Sequence, residues 1–309
     1  MAHSLSTIGD LTLREICMPG SHNAGMSVSR YSTKLGLDKV VLCQSRSVAE
    51  QLAYGVRYFD IRPIGRGPEF ETGHYSKNDT FGWQGASGQT MDEIVKQINA
   101  FTRENHEVII LNVTHSYQAD SDVGFRDLHE RDWGDLFNSS FDRLESLYHA
   151  SSPDVDLSRV KIRELTQDGK KAAVIVRFGW NGGNPKYGDR LGKGYFLSHN
   201  LPIYDEYADK NDPDQLMDDQ FGKLQRERGG KAPHDGQMFC IGWALTPKGF
   251  MDVMGPSLME WARNYMTPRL GVLFEKSNKS CYPNILGMDG IETTDALAAS
   301  VAINTRARY

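Results

Sequence analysis

Four stretches of the chain are almost continuously apolar: EVIILNV (107–113), AAVIVRF (172–178), QMFCIGWAL (237–245) and NILGMDG (284–290). Runs of this length suit strands buried on both faces, as in a parallel sheet. A fifth, RYFDIR (57–62), alternates instead. Between them lie patterns of helical period. TMDEIVKQINAFTREN (90–105) opens with a Thr-x-x-Glu cap and repeats apolar residues at Ile94, Ile98 and Phe101. Residues 124–150, 257–266 and 293–308 also read as helical. A strand in LTLREICM (11–18), stopped by Pro19-Gly20, and a weaker one in LPIYDEY (201–207) bring the candidates to about seven. The alternation predicts an α/β fold with parallel strands, and this length favours a single irregular (β/α) TIM-type barrel spanning 1–309 over an open doubly wound sheet. Neither a G-x-G-x-x-G after the first strand nor a P-loop is present, which counts against nucleotide-binding folds. Segments 179–194 and 223–236 read as long loops, and no internal repeat is found.

Composition narrows the partners. Of 309 residues, 39% are hydrophobic and 24% charged, enough for a sizeable core. The net charge of −5 and the lack of a basic stripe argue against nucleic acid and for at most transient membrane contact. Cys17, Cys43, Cys240 and Cys281 lie far apart, with no metal spacing, and read as free buried thiols of a reducing compartment. The N-terminus lacks the basic-then-apolar pattern of a secretory signal, and no apolar run approaches the roughly 20 residues of a membrane span. A cytoplasmic protein with no obligate protein partner is the expectation. The methionines read as core filler.

Barrel enzymes carry their chemistry at the C-terminal ends of strands. Reading each strand end gives a polar set: His22 and Asn23 after the first, Asn112, Thr114 and His115 at the third, Arg177 at the fourth, Asp205 and Tyr207 after the weak strand, and Asp289 after the last. In RYFDIR, period two puts Tyr58, Asp60 and Arg62 on one face, and the loop beyond holds ETGHYS with His74. Charges inside an apolar strand are rare unless paired. Asp60 and Arg62 either neutralise each other as a brace, or Arg62 presents its fork to a phosphate. Two histidines beside an arginine make a coherent set for phosphate chemistry: one imidazole takes a proton from an attacking hydroxyl, the other protonates the leaving oxygen, and arginine counters the added charge. A carboxylate such as Asp289 orients the base. His106, His129, His149, His199 and His234 read as surface or loop residues, and Trp180 and Trp243 as packing residues.

The motifs MPGSHNAG, GVRYFDIRP, GHYS, EVIILNVTH and NILGMDG resemble, in order and approximate spacing, the X domain of phosphatidylinositol-specific phospholipase C, and most closely its calcium-independent bacterial members and stand-alone X-domain proteins. The resemblance runs from about residue 10 to 292, with 120–165 and 210–280 matching in pattern only. It implies an irregular β/α barrel and metal-independent phosphodiester cleavage without cofactor, in which an inositol hydroxyl attacks phosphorus and a cyclic phosphate forms. It makes His22 the general base and His74 the general acid. Arg62 stands where metal-dependent relatives hold calcium, Asp60 is the neighbouring carboxylate, and Asp289 supports the base. Arg177 falls at the inositol-contacting position and Tyr207 at a stacking one. Asn23 departs from the bacterial aspartate and Thr114 from the bacterial lysine or the calcium-type glutamate, while Asn112 follows the stand-alone pattern. These departures touch substrate recognition. Three functions therefore stay open: a lyase on phosphatidylinositol or a related phosphodiester headgroup, a barrel acting on a soluble small molecule, and a non-catalytic lipid-binding X domain.

Overall fold

The structure, a computed structural model, describes residues 5–67, 69–119, 125–179, 185–231 and 236–307. In chain order its strands are β1 (Met18–Ser21), β2 (Tyr58–Ile61), β3 (Pro63–Arg66), β4 (Glu69–Asn78), β5 (Gly82–Thr90), β6 (Val108–Val113), β7 (Tyr117–Gln118), β8 (Arg126–Asp127), β9 (Ala173–Phe178), β10 (Tyr195–Leu197), β11 (Ile203–Tyr204), β12 (Met238–Trp243) and β13 (Ile285–Met288). Eight of them form one parallel sheet in the order β10-β9-β6-β2-β1-β13-β12-β11. Strand alternation divides the apolar residues in two. Met18, Tyr58, Ile110, Ile175, Phe196, Ile203, Cys240 and Ile285 belong to one cluster that draws on all eight strands. Residues of the other parity, among them Phe59, Ile61, Leu111, Val176, Ile241 and Leu286, pack outward with Ile94 and Ile98. A cluster shared by strands at opposite ends of the sheet order requires the sheet to curl on itself. The fold is thus an α/β barrel, and its irregularity is a seam: among the described residues no ladder joins β10 to β11.

The five long apolar or alternating runs all became strands. The first strand did not form where expected. Leu13–Glu15 is a turn of 3-10 helix, and Leu13 and Ile16 are buried in the inner cluster. The strand is MPGS itself. Gly20 allows it, because a Cβ there would come within 2.6 Å of Ile285 Cγ2 and 3.2 Å of the Tyr58 ring.

The helix at Met91–Glu104 starts as predicted, with Thr90 and Glu93 exchanging hydrogen bonds of 2.9 and 3.1 Å. Pro213–Arg228 is also helical, although 223–236 read as loop. It begins on Asp212, whose carboxylate accepts from Gln215 N at 2.9 Å. Its buried face mixes Leu216 and Leu224 with Gln220, Lys223 and Arg228, which hides the apolar period. In 124–150 the regular helix is confined to Glu130–Ser139. No helix among the described residues is long and apolar enough to cross a membrane.

A second sheet, β5-β4-β3-β7-β8, built largely from the hairpin β4–β5, has no counterpart among the expected elements. It stands beyond the C-terminal end of β2 and carries His74 on β4, so the expected loop position of His74 is corrected to a strand.

Candidate active site

Parallel pairing aligns the strand ends. Ser21 sits beside Met288 and Phe59, and Asp60 beside Asn112, which in turn faces Arg177. The residues just past these positions therefore meet at one mouth. His22 N donates to Met288 O at 3.0 Å, and Ala24 N to Asp60 O at 2.9 Å, fixing the first loop over both neighbouring strands.

His22 Nδ1 lies 2.7 Å from Asp289 Oδ1, and its Nε2 lies 2.8 Å from Arg62 Nη2. Guanidinium nitrogens only donate. Nε2 must therefore be the acceptor and Nδ1–H the donor to Asp289, a neutral imidazole with its lone pair outward. Asp289 is buried, and the His22 side chain is 30% exposed, enough for a ligand to reach it. Arg62 also donates from Nε to Asp60 Oδ2 at 2.9 Å. Asp60 collects further bonds from Thr114 Oγ1 at 2.7 Å and from the backbone N of Asn23 at 3.1 Å. Burial would raise the Asp60 pKa, but the Arg62 charge and the Thr114 hydroxyl outweigh it and hold the carboxylate well below its usual range.

His74 faces His22 across the mouth. Its ring centroid is 6.3 Å from that of His22, with the planes 83° apart. Nδ1 faces the carbonyl of Val41 at 3.1 Å and is the donor there. Burial, then the nearby Arg62 charge, push the imidazole down to about 3. It is thus neutral near pH 7 in the free protein.

His22, Asp60, Arg62, His74 and Asp289 come together, with Asn23 and Thr114 beneath them. The residues expected to contact substrate make bonds within the protein. The Thr114 hydroxyl is committed to Asp60. Asn112 Oδ1 accepts from Arg177 Nη1, and Arg177 Nε donates to Leu201 O at 2.8 Å, so both brace β6, β9 and the segment after β10. Tyr207 stands 64% exposed beyond β11. Asp205 and His115 are exposed as well, His115 with a left-handed backbone at φ 47°.

Two contributors had no signal in the sequence. Gln44 Nε2 donates to His22 O at 2.9 Å and Met288 O at 3.0 Å, while its Oε1 accepts from Ile291 N, stapling the loops that carry His22 and Asp289. Cys43, wholly buried, places Sγ 3.4 Å from His74 Nδ1. Of the remaining residues, His129, His149 and His199 are exposed, and His106 donates to Gly169 O at 2.8 Å. Trp243 is a core residue bonded to Met266 O. Trp180 and His234 lie outside the described residues.

Solved structures share this architecture from end to end. A phosphatidylinositol-specific phospholipase C from Staphylococcus aureus superposes with a TM-score of 0.67 at 14% identity, over 97% of this chain and 96% of that one. The enzyme of the same name from Listeria monocytogenes gives 0.61 at 16% identity, over 96% and 95%. The chain has the fold of the bacterial phosphatidylinositol-specific phospholipases C. At such identities the likeness fixes this phospholipase-type barrel and leaves the chemistry to the residues. No family model matches the sequence, and no curated relative matches it either.

Proposed function

We propose that the chain cleaves a phosphodiester through attack of a neighbouring hydroxyl of the same substrate, releasing an alcohol and a cyclic phosphate. The observation that carries this reading is His22 held between Asp289 and Arg62, with His74 across the pocket. A phosphate oxyanion is a stronger acceptor for Arg62 than an imidazole is. Its arrival draws the guanidinium from Nε2 and frees that lone pair to accept the hydroxyl proton. Asp289 then stabilises the imidazolium through Nδ1–H. The oxygen attacks phosphorus, the charge gathers on the non-bridging oxygens beside Arg62, and the P–O bond to the leaving alcohol breaks. His74 supplies the proton to that alcohol. In the free protein it is neutral, and the substrate's negative charge is what lets it hold a proton.

An inositol phospholipid headgroup is the first substrate to try, because it offers a hydroxyl adjacent to the phosphodiester. Commitment of Thr114 to Asp60 and of Asn112 to Arg177 means that headgroup contacts differ from a rim bearing a free lysine. Phosphorus NMR on phosphatidylinositol and on water-soluble inositol phosphodiesters tests the reading. A five-membered cyclic phosphate is the expected first product. An acyclic monophosphate formed without it would exclude intramolecular attack. No turnover of either class would favour the binding-only alternative.

A further inference from the structure

Cys43 stands at the centre of the mouth, and the proposed reaction gives it no task. One ring nitrogen of His22, the Cys43 sulfur and one Asp289 oxygen lie within 4.8 Å of one another. The His74 ring is against the same sulfur. Beside the thiol lies the wholly buried Asn23 amide, which hydrogen-bonds the Cys43 sulfur and has no oxygen or nitrogen partner among the described residues. A thiol is a weak hydrogen-bonding partner, so most of this buried amide's bonding capacity is unmet, and in a cluster of potential ligands that points to a missing guest.

We propose that His22, Cys43 and Asp289 form a site for a thiophilic divalent cation such as zinc, and that the bound ion switches the mouth off. Sulfur, imidazole and carboxylate are zinc's ligand types, and a tetrahedral ion needs donors at about 2.0–2.3 Å. The three donors, as much as 4.8 Å apart, must close by about 1 Å to surround it. Water takes the fourth position and gives the Asn23 amide an oxygen partner. On binding, the Cys43 thiol releases its proton to solvent and the thiolate joins the metal. Thiolate and carboxylate together neutralise the ion, so the nearby Arg62 does not repel it. The ion takes His22 Nδ1, the ring proton moves to Nε2, and the Arg62 contact breaks because two donors then face each other. His22 is left without a lone pair for a substrate hydroxyl. Calcium and magnesium prefer oxygen ligands and do not fit a site with a sulfur at its centre.

The test uses the whole chain without substrate, so that it stands apart from the phosphodiesterase reading. Cadmium and cobalt are titrated in while the thiolate-to-metal charge-transfer absorbance is followed. The expected result is one equivalent bound with that band and release of one proton. Cys43→Ser should remove the band and weaken affinity by at least the ~10-fold that even an outer-shell change costs. Cys240→Ser, altering a buried thiol outside the cluster, should leave the band in place. Absence of a band in the unaltered protein overturns the proposal whether or not any variant folds, and so does a band that survives Cys43→Ser. In turnover assays zinc should inhibit, a chelator should reverse it, and the Cys43→Ser protein should be insensitive relative to its own metal-free rate.

Discussion

Strand β2 has a buried ion pair at each end, and the two ends do different things. At its N-terminal end Arg57 Nε donates to Glu107 Oε2 at 2.8 Å, while Nη1 donates to the carbonyls of Leu52 at 2.9 Å and Val56 at 2.7 Å. Its guanidinium lies 4.8 Å over the Phe101 ring. Burial would raise the Glu107 pKa, but the bond to Arg57 prevails and brings it down to about 2. At the C-terminal end Arg62 makes the same kind of pair with Asp60, yet its other contact is His22. Both arginines are anchored by a carboxylate. One finishes on backbone carbonyls and braces the bottom of the barrel. The other finishes on a solvent-reachable imidazole, which an anion can displace. What separates a structural pair from a chemical one here is the third partner.

That contrast is broken most directly by one change at each end. His22→Ala should lower turnover of a cleaved phosphodiester by at least about 100-fold, the usual worth of a general base, with urea unfolding little altered. Glu107→Gln should do the opposite: breaking a buried pair from one side costs about 3–5 kcal/mol of stability, while kcat of the folded fraction stays near that of the unaltered protein. Comparable activity losses in both variants would mean that the bottom pair is part of the catalytic apparatus and that the two ends are not distinct.

The ends should also separate in pH. His74 falls to about 3 from an ordinary 6.5, so the unfolded chain binds this proton first. Its share of stability is complete above pH 6.5 and is lost as pH falls toward 3. Glu107 falls to about 2 from 4.5, so its share is complete above pH 4.5 and is lost toward 2. Acidification should therefore weaken the mouth before the bottom. Unfolding midpoints measured from pH 7 to 3 should decline less steeply above pH 4.5 in His74→Asn, whereas Glu107→Gln should change only the slope below it. An unchanged slope above pH 4.5 in His74→Asn would mean that this imidazole is not held neutral by its surroundings.

How far the sequence reaches follows from the same geometry. Runs such as VIILNV and AVIVRF are buried on both faces, so periodicity and length identify them, and parallel pairing then sends their C-terminal neighbours to one rim. His22, Asp60, Arg62 and Asp289 were legible for that reason. The second sheet was not. EFETGHYSKN and GWQGASGQT have no apolar alternation, and their pairing rests on long-range contacts. Gly36, for example, approaches the Gly85 carbonyl so closely that a Cβ would lie 2.0 Å from its oxygen. Cys43 reaches the mouth because its carbonyl accepts from Gly290 N at 2.8 Å, a contact across 247 residues that no local pattern announces. The commitments of Thr114 and Asn112 are hidden likewise, since each depends on which side chain a neighbouring strand turns toward it.

The smallest expected effect concerns chelation. On the proposed reading Arg62 is the cation that faces the phosphate, and Asp60 spends one oxygen on Arg62 and the other on Thr114. A calcium ion takes six to eight oxygen ligands, and Asp60 and Asn23 together offer too few. Placing a divalent ion beside the guanidinium would also set like charges together in a partly desolvated pocket. Turnover should therefore survive EDTA undiminished, and any change should be a rise as zinc leaves the Cys43 cluster. If EDTA abolishes turnover and calcium restores it, Arg62 is a brace like Arg57 after all, and Asn23, whose amide oxygen has no oxygen or nitrogen partner among the described residues, becomes the first residue to test as a calcium ligand.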